Sequence, residues 1–101
     1  MKIIKNGKKY DTDTAKEVGS YQKGYGRDLS YYREELYRKK TGEFFLYGEG
    51  GGLSPHAHHF PGGGYCEGEK IVPMSKAEAK SWCEQHLSYG AYVELFGEPE
   101  E

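Results

Sequence analysis

Asn6-Gly7 is the feature that most narrows what this chain can fold into. Both central residues of a type I′ turn need positive φ, and Asn-Gly meets that demand better than any other pair. The turn predicts a hairpin of Lys2–Lys5 with Lys8–Thr12, in which Ile3 faces Tyr10 as an aromatic to β-branched pair. A second hairpin is predicted over Tyr31 to Gly48, with Lys40-Thr41-Gly42 as its loop. A three-residue loop puts only Gly42 in the left-handed region, whereas a two-residue Thr-Gly turn would force a β-branched residue there. The resulting register sets Lys39 opposite Glu43, Tyr37 opposite Phe45 and Leu36 opposite Leu46.

Between the hairpins, Ala15 to Gln22 reads as a weaker third strand with Ala15, Glu17, Gly19 and Tyr21 on one side. Lys23 to Asp28, with Gly24 and Gly26, reads as a loop. Lys70 to Met74 is a further short strand. Ser75-Lys76-Ala77-Glu78 then has the form of a capping box, opening a helix to Leu87. Ala79, Trp82, Cys83, His86 and Leu87 fall on one stripe of it. Ser88 to Phe96 is a second helix with Tyr92, Leu95 and Phe96 inward, ended by Gly97 and Pro99. Strands come first and helices last. The expectation is an α+β fold, an antiparallel β-sheet built from hairpins with two C-terminal helices packed on one face. Hairpin connections leave no place for a nucleotide-binding βαβ unit.

A chain of 101 residues suits one domain, residues 1–101. Only 36% of it is hydrophobic, so the ten tyrosines matter: each buries a ring and keeps a polar tip. Net charge is −2, from 14 basic and 16 acidic residues, which is neither the basic footprint of a nucleic-acid binder nor the acidity of a nucleic-acid mimic. No stretch approaches a membrane span, and Met1-Lys2-Ile3-Ile4 does not open a signal peptide. The protein is expected to stay in the cytoplasm where it is made, with its two cysteines as thiols or metal ligands.

Glu49 to Gly68 holds two glycine triplets, His56-Ala57-His58-His59 and Cys66. Loops of this length are usually functional or tied down. Cys83 and His86 lie one helical turn apart, and zinc takes thiolates and imidazoles in sets of four. Cys66, Cys83 and His86 with one of His56, His58 and His59 would make such a set, and bound zinc would pin the loop. The other reading leaves Cys83 in the core and the loop histidines solvated. A Cys83–His86 nucleophilic pair is disfavoured by its place on the buried stripe, because a reactive cysteine needs exposure. The glycine runs lack the Lys-Ser/Thr and helix of a phosphate loop.

Tyr21, Tyr25, Arg27, Tyr31, Tyr32, Arg33 and Arg38 gather aromatic and basic side chains in the middle third. Tyrosine and arginine anchor protein interfaces. They also suit an ordinary strand surface.

Three stretches carry a resemblance: Lys9 to Ala15 (KYDTDTA), Leu36 to Leu46 (LYRKKTGEFFL), and Ser75 to Leu87 with Glu78, Ala79, Lys80 and Trp82. Together they resemble small proteins encoded on phages, plasmids and integrative elements of Firmicutes. Proteins of that size and origin include anti-CRISPR inhibitors of the type II RNA-guided nuclease, at least one of which holds zinc. The resemblance implies a non-enzymatic protein that inhibits a host defence nuclease by stoichiometric binding and occlusion. A zinc-stabilised adaptor module is the alternative. A small metal-dependent hydrolase is a weaker one, since no Asp or Glu stands beside the loop histidines as a base.

Overall fold

The computed structural model describes residues 1–25 and 27–101. Gly26, which the sequence puts in a loop, lies outside the described residues. Among the described residues eight strands precede two helices: β1 (Lys2–Lys5), β2 (Lys8–Asp11), β3 (Lys16–Lys23), β4 (Tyr32–Arg38), β5 (Phe44–Gly50), β6 (His58–His59), β7 (Tyr65–Cys66), β8 (Gly68–Met74), α1 (Lys76–His86) and α2 (Tyr89–Phe96). The main sheet has the order β3-β4-β5-β8 and is antiparallel throughout. This is an α+β arrangement. Among the described residues no helix is long and apolar enough to cross a membrane.

Turn chemistry sets the frame. Asn6 and Gly7 both have positive φ, and Ile3 pairs with Tyr10. Gly42 sits at φ +93, Leu36 faces Leu46 and Tyr37 faces Phe45. The Lys39 amide donates to the Glu43 carbonyl, continuing that ladder. Ser75 caps α1 with the full reciprocal box to Glu78, and Ser88 caps α2. On the β5 side the second hairpin runs two residues beyond the expected Gly48, ending with Tyr32 opposite Gly50.

The strands part company with the expected single sheet at the N-terminus. β1 and β2 form a separate two-stranded sheet. They pack on the face of the main sheet opposite the helices. Tyr10 meets Phe45 edge-on at 5.6 Å within a cluster of Tyr10, Phe45, Tyr47 and Ile71, joined by Ile3, Ala15 and Tyr37. On the other face Leu36, Phe44 and Leu46 pack with Ala79, Trp82 and Cys83 of α1, and Tyr92, Leu95 and Phe96 of α2 join them. The main sheet is therefore covered on both sides over its lower half, the half toward the Lys39–Glu43 turn.

The expected shared side for Ala15, Glu17, Gly19 and Tyr21 is also corrected. The register shifts between Glu17 and Gly19, so Glu17 pairs with Tyr37 while Gly19 pairs with Leu36. An extra residue in one strand sends the side chains beyond it to the opposite face. Ala15 joins the hairpin-side cluster, and Gly19 lies under Leu87 and Trp82 on the helix side.

Candidate functional site

Two long connections leave the upper end of the main sheet. Residues 24–31 join β3 to β4, and residues 51–67 join β5 to β8. Backbone hydrogen bonds knit them together: the Gly51 amide donates to Tyr31 and the Leu53 amide to Leu29, each at 2.8 Å. Within the second connection β6 and β7 form a small hairpin, His58 opposite Cys66 and His59 opposite Tyr65.

A buried polar tie holds this segment on the sheet. The His56 side chain is only 4% exposed. Its Nε2 lies 2.7 Å from Glu34 Oε2, and the Trp82 Nε1–H donates to Glu34 Oε1 at 2.9 Å. One carboxylate of β4 thus joins the loop, the sheet and α1. The hydrogen bond from His56 is the main reason the Glu34 carboxyl sits below its usual range. Burial pushes the other way, and the Trp82 bond adds to the lowering. Gly48 pairs with Glu34 across the strands, and the imidazole lies flat against it. A Cβ at Gly48 would overlap the ring atoms of His56. His56 Nδ1 is buried without a partner.

The six proposed metal ligands do not converge. Among the described residues no group of three or more His, Cys, Asp or Glu side chains is placed to hold a metal ion. Cys83 is fully buried in the helix-side core, where burial pushes its thiol up to about 11. His86 stacks on Tyr21 with ring centroids 3.9 Å apart. His56 is engaged by Glu34, while His58 and His59 stand exposed on β6, edge-on to Phe60 and Tyr65. Cys66 is partly exposed on β7, and its Sγ–H donates to the Glu67 carbonyl.

The expected tyrosine and arginine surface is likewise divided. Tyr21 and Tyr32 are half-buried between His86 and His56 on the helix side. Arg33 is on the opposite face, 3.1 Å from Glu49. Arg38 lies near the other end of the sheet, over the ring of Phe44. Tyr25, Arg27 and Tyr31 lie on the first upper connection, and Arg33 reaches that end through its ion pair with Glu49.

That end carries exposed apolar side chains of which sequence reasoning singled out Tyr25 alone. Among the described residues eight large hydrophobics are exposed, and five of them, Tyr25, Leu29, Leu53, Phe60 and Tyr65, lie on the two upper connections. Leu29 and Leu53 are each 65% exposed. A groove of about 390 Å³ opens beside them, lined by Tyr31, Glu49, Glu67 and Glu69 with Gly50, Gly51 and Gly68. Behind it, on the hairpin side, Tyr47 Oη lies 2.8 Å from Glu49 and 2.6 Å from Glu69. A phenol has one proton, so it donates to one of these carboxylates at a time. Burial, then the bonds to Glu69 and Glu49, hold the Tyr47 hydroxyl well above its usual range. The signal available in the sequence was Leu29 and Leu53 themselves, apolar residues in glycine-rich and polar stretches. No protein family, no curated protein and no solved structure matches this chain.

Proposed function

We propose that this chain is a protein-binding module that acts without turnover, by stoichiometric occlusion of its partner, and that the upper end is its contact surface. One observation carries the reading: large apolar side chains stand exposed on two hydrogen-bonded loops at one end of a rigid sheet. Exposed apolar side chains gathered in one region are a feature of interaction sites on small domains. The His56–Glu34–Trp82 tie supports it, since it holds the larger loop in place before binding and lowers the ordering cost of association.

The resemblance in the Lys9–Ala15, Leu36–Leu46 and Ser75–Leu87 stretches makes the type II RNA-guided nuclease the first partner to test. Such a nuclease relies on charged channels for its nucleic acids, which a small rigid domain blocks without chemistry. The purified chain is expected to stop target cleavage at about one chain per nuclease, and the Leu29→Ser, Leu53→Ser double variant to lose at least tenfold in potency while keeping its melting temperature. Inactivation of many nuclease molecules by one chain would overturn the reading in favour of catalysis.

A further inference from the structure

We infer that the partner segment received at the upper end is basic, with lysine or arginine heads entering the groove between Glu67 and Glu69 and apolar side chains resting on Leu29 and Leu53. This rests on the contact surface proposed above and names the chemistry of what it contacts.

The charge of the whole chain hides the charge of this end. Antiparallel pairing sets Glu49 directly opposite Glu69, and like charges in that position oppose folding. Glu67 adds a third carboxylate to the same groove. The compensating cation is Arg33, and it is shared. Its guanidinium lies 3.1 Å from Glu49 and 4.0 Å from Glu35. Among the described residues neither Glu67 nor Glu69 forms an ion pair. The Met1 amine lines a pocket with Arg33 and Glu69, and it donates to Thr12 Oγ1. Lys70 donates to the Pro55 carbonyl. Lys23 lies on β3, three strands from β8, which is about 14 Å at ordinary strand spacing. Arg27 is followed by Asp28 in the same loop, so the pair adds no net charge.

The acidic groove and the apolar side chains are neighbours. The Gly51 and Leu53 amides bond to Tyr31 and Leu29, so each exposed leucine lies two residues along the chain from a groove residue, Leu29 from Tyr31 and Leu53 from Gly51. Gly52 between them rests against the backbone of Tyr65 and Cys66, which leads directly into Glu67. Apolar contact beside carboxylates that have no ion pair among the described residues is complementary to a segment that alternates apolar and basic side chains. It repels an acidic one, and in the same way it repels nucleic acid.

The test is selection of a random peptide display library on the immobilised whole chain, run in parallel on the Glu67→Gln, Glu69→Gln variant and on the Leu29→Ser, Leu53→Ser variant. All four positions are exposed, so both variants are expected to fold, with melting temperature as the check. The expected result is enrichment of peptides combining Lys or Arg with apolar residues. Their affinity should fall at least tenfold on each variant and weaken further with added salt on the wild type. Neutral or acidic peptides that survive Glu67→Gln, Glu69→Gln and are lost on Leu29→Ser, Leu53→Ser would overturn the basic partner and leave the contact surface standing. No enrichment, or enrichment indifferent to the leucines, would overturn the contact surface and this inference with it.

Discussion

The two faces of the main sheet are covered in different ways. On the helix side, α1 and α2 pack over Leu36, Phe44 and Leu46, and the 51–67 connection continues the cover upward by seating His56 on Gly48. On the hairpin side, β1 and β2 cover Phe45 and Ile71 and stop. Above them Arg33, Glu35, Glu49 and Glu69 remain at the surface, with Tyr47 bridging two of the carboxylates. One face places its polar groups in the buried His56–Glu34–Trp82 tie and is devoted to holding the molecule together. The other leaves acidic groups partly unanswered, an arrangement that contributes little to stability and much to recognition.

The largest test of that contrast is Trp82→Ala. It removes a buried ring from the helix-side core and one of the two donors to Glu34. The expected loss is about 3–5 kcal/mol, read from the urea midpoint. A loss under about 2 kcal/mol would mean the helix side is not the anchoring face.

His56→Ala should cost less, roughly 1–3 kcal/mol, because Glu34 keeps the Trp82 donor. Its signature is local: amide exchange of residues 51–57 should quicken while α1 stays protected. The pH dependence follows from Glu34. Its folded pKa lies below the ordinary 4.5, so its stabilisation is complete above that value and fades as pH falls through the lower folded value. Wild-type stability should drop in that acid range, and the drop should be shallower in His56→Ala. Equal slopes would separate Glu34 from the acid response.

Tyr47→Phe probes the other face and should have the smallest effect, about 1 kcal/mol at neutral pH. The Tyr47 hydroxyl is held above the ordinary 10, so its contribution is present below that pH and is lost as pH rises through the higher folded value. The Phe variant should therefore lose less stability than wild type in alkaline titration. A cost as large as that of His56→Ala would erase the contrast between the faces.

Much of this architecture was legible because it is local. Asn6-Gly7, Gly42 and the Ser75–Glu78 box each act within a few residues, and each specifies its turn or cap through backbone geometry alone. What escaped was set by distant contacts. Alternation in β1 and β2 says that Ile3 and Tyr10 are buried, but not against which face. The bulge after Glu17 leaves no mark in composition. Cys83 and His86 have ligand spacing, yet their stripe faces Leu36 and Tyr21 rather than the histidine loop. The partner of His56 is a carboxylate 22 positions earlier, visible only once β4 and β5 are paired. The acidity of the upper end is invisible in a net charge of −2, because it arises from register, which brings Glu49 and Glu69 together.

The seat of His56 on Gly48 also constrains how this sequence can drift. Position 48 tolerates only glycine while an imidazole lies on it, since even a methyl group would occupy the space of the ring. A descendant that gains a side chain at 48 must first shrink or redirect the residue at 56. Until a second donor appears, Glu34 in that lineage depends on Trp82 alone. Positions 34, 48 and 56 should therefore change together or not at all, and aligned relatives of this chain would show them as a co-varying triplet.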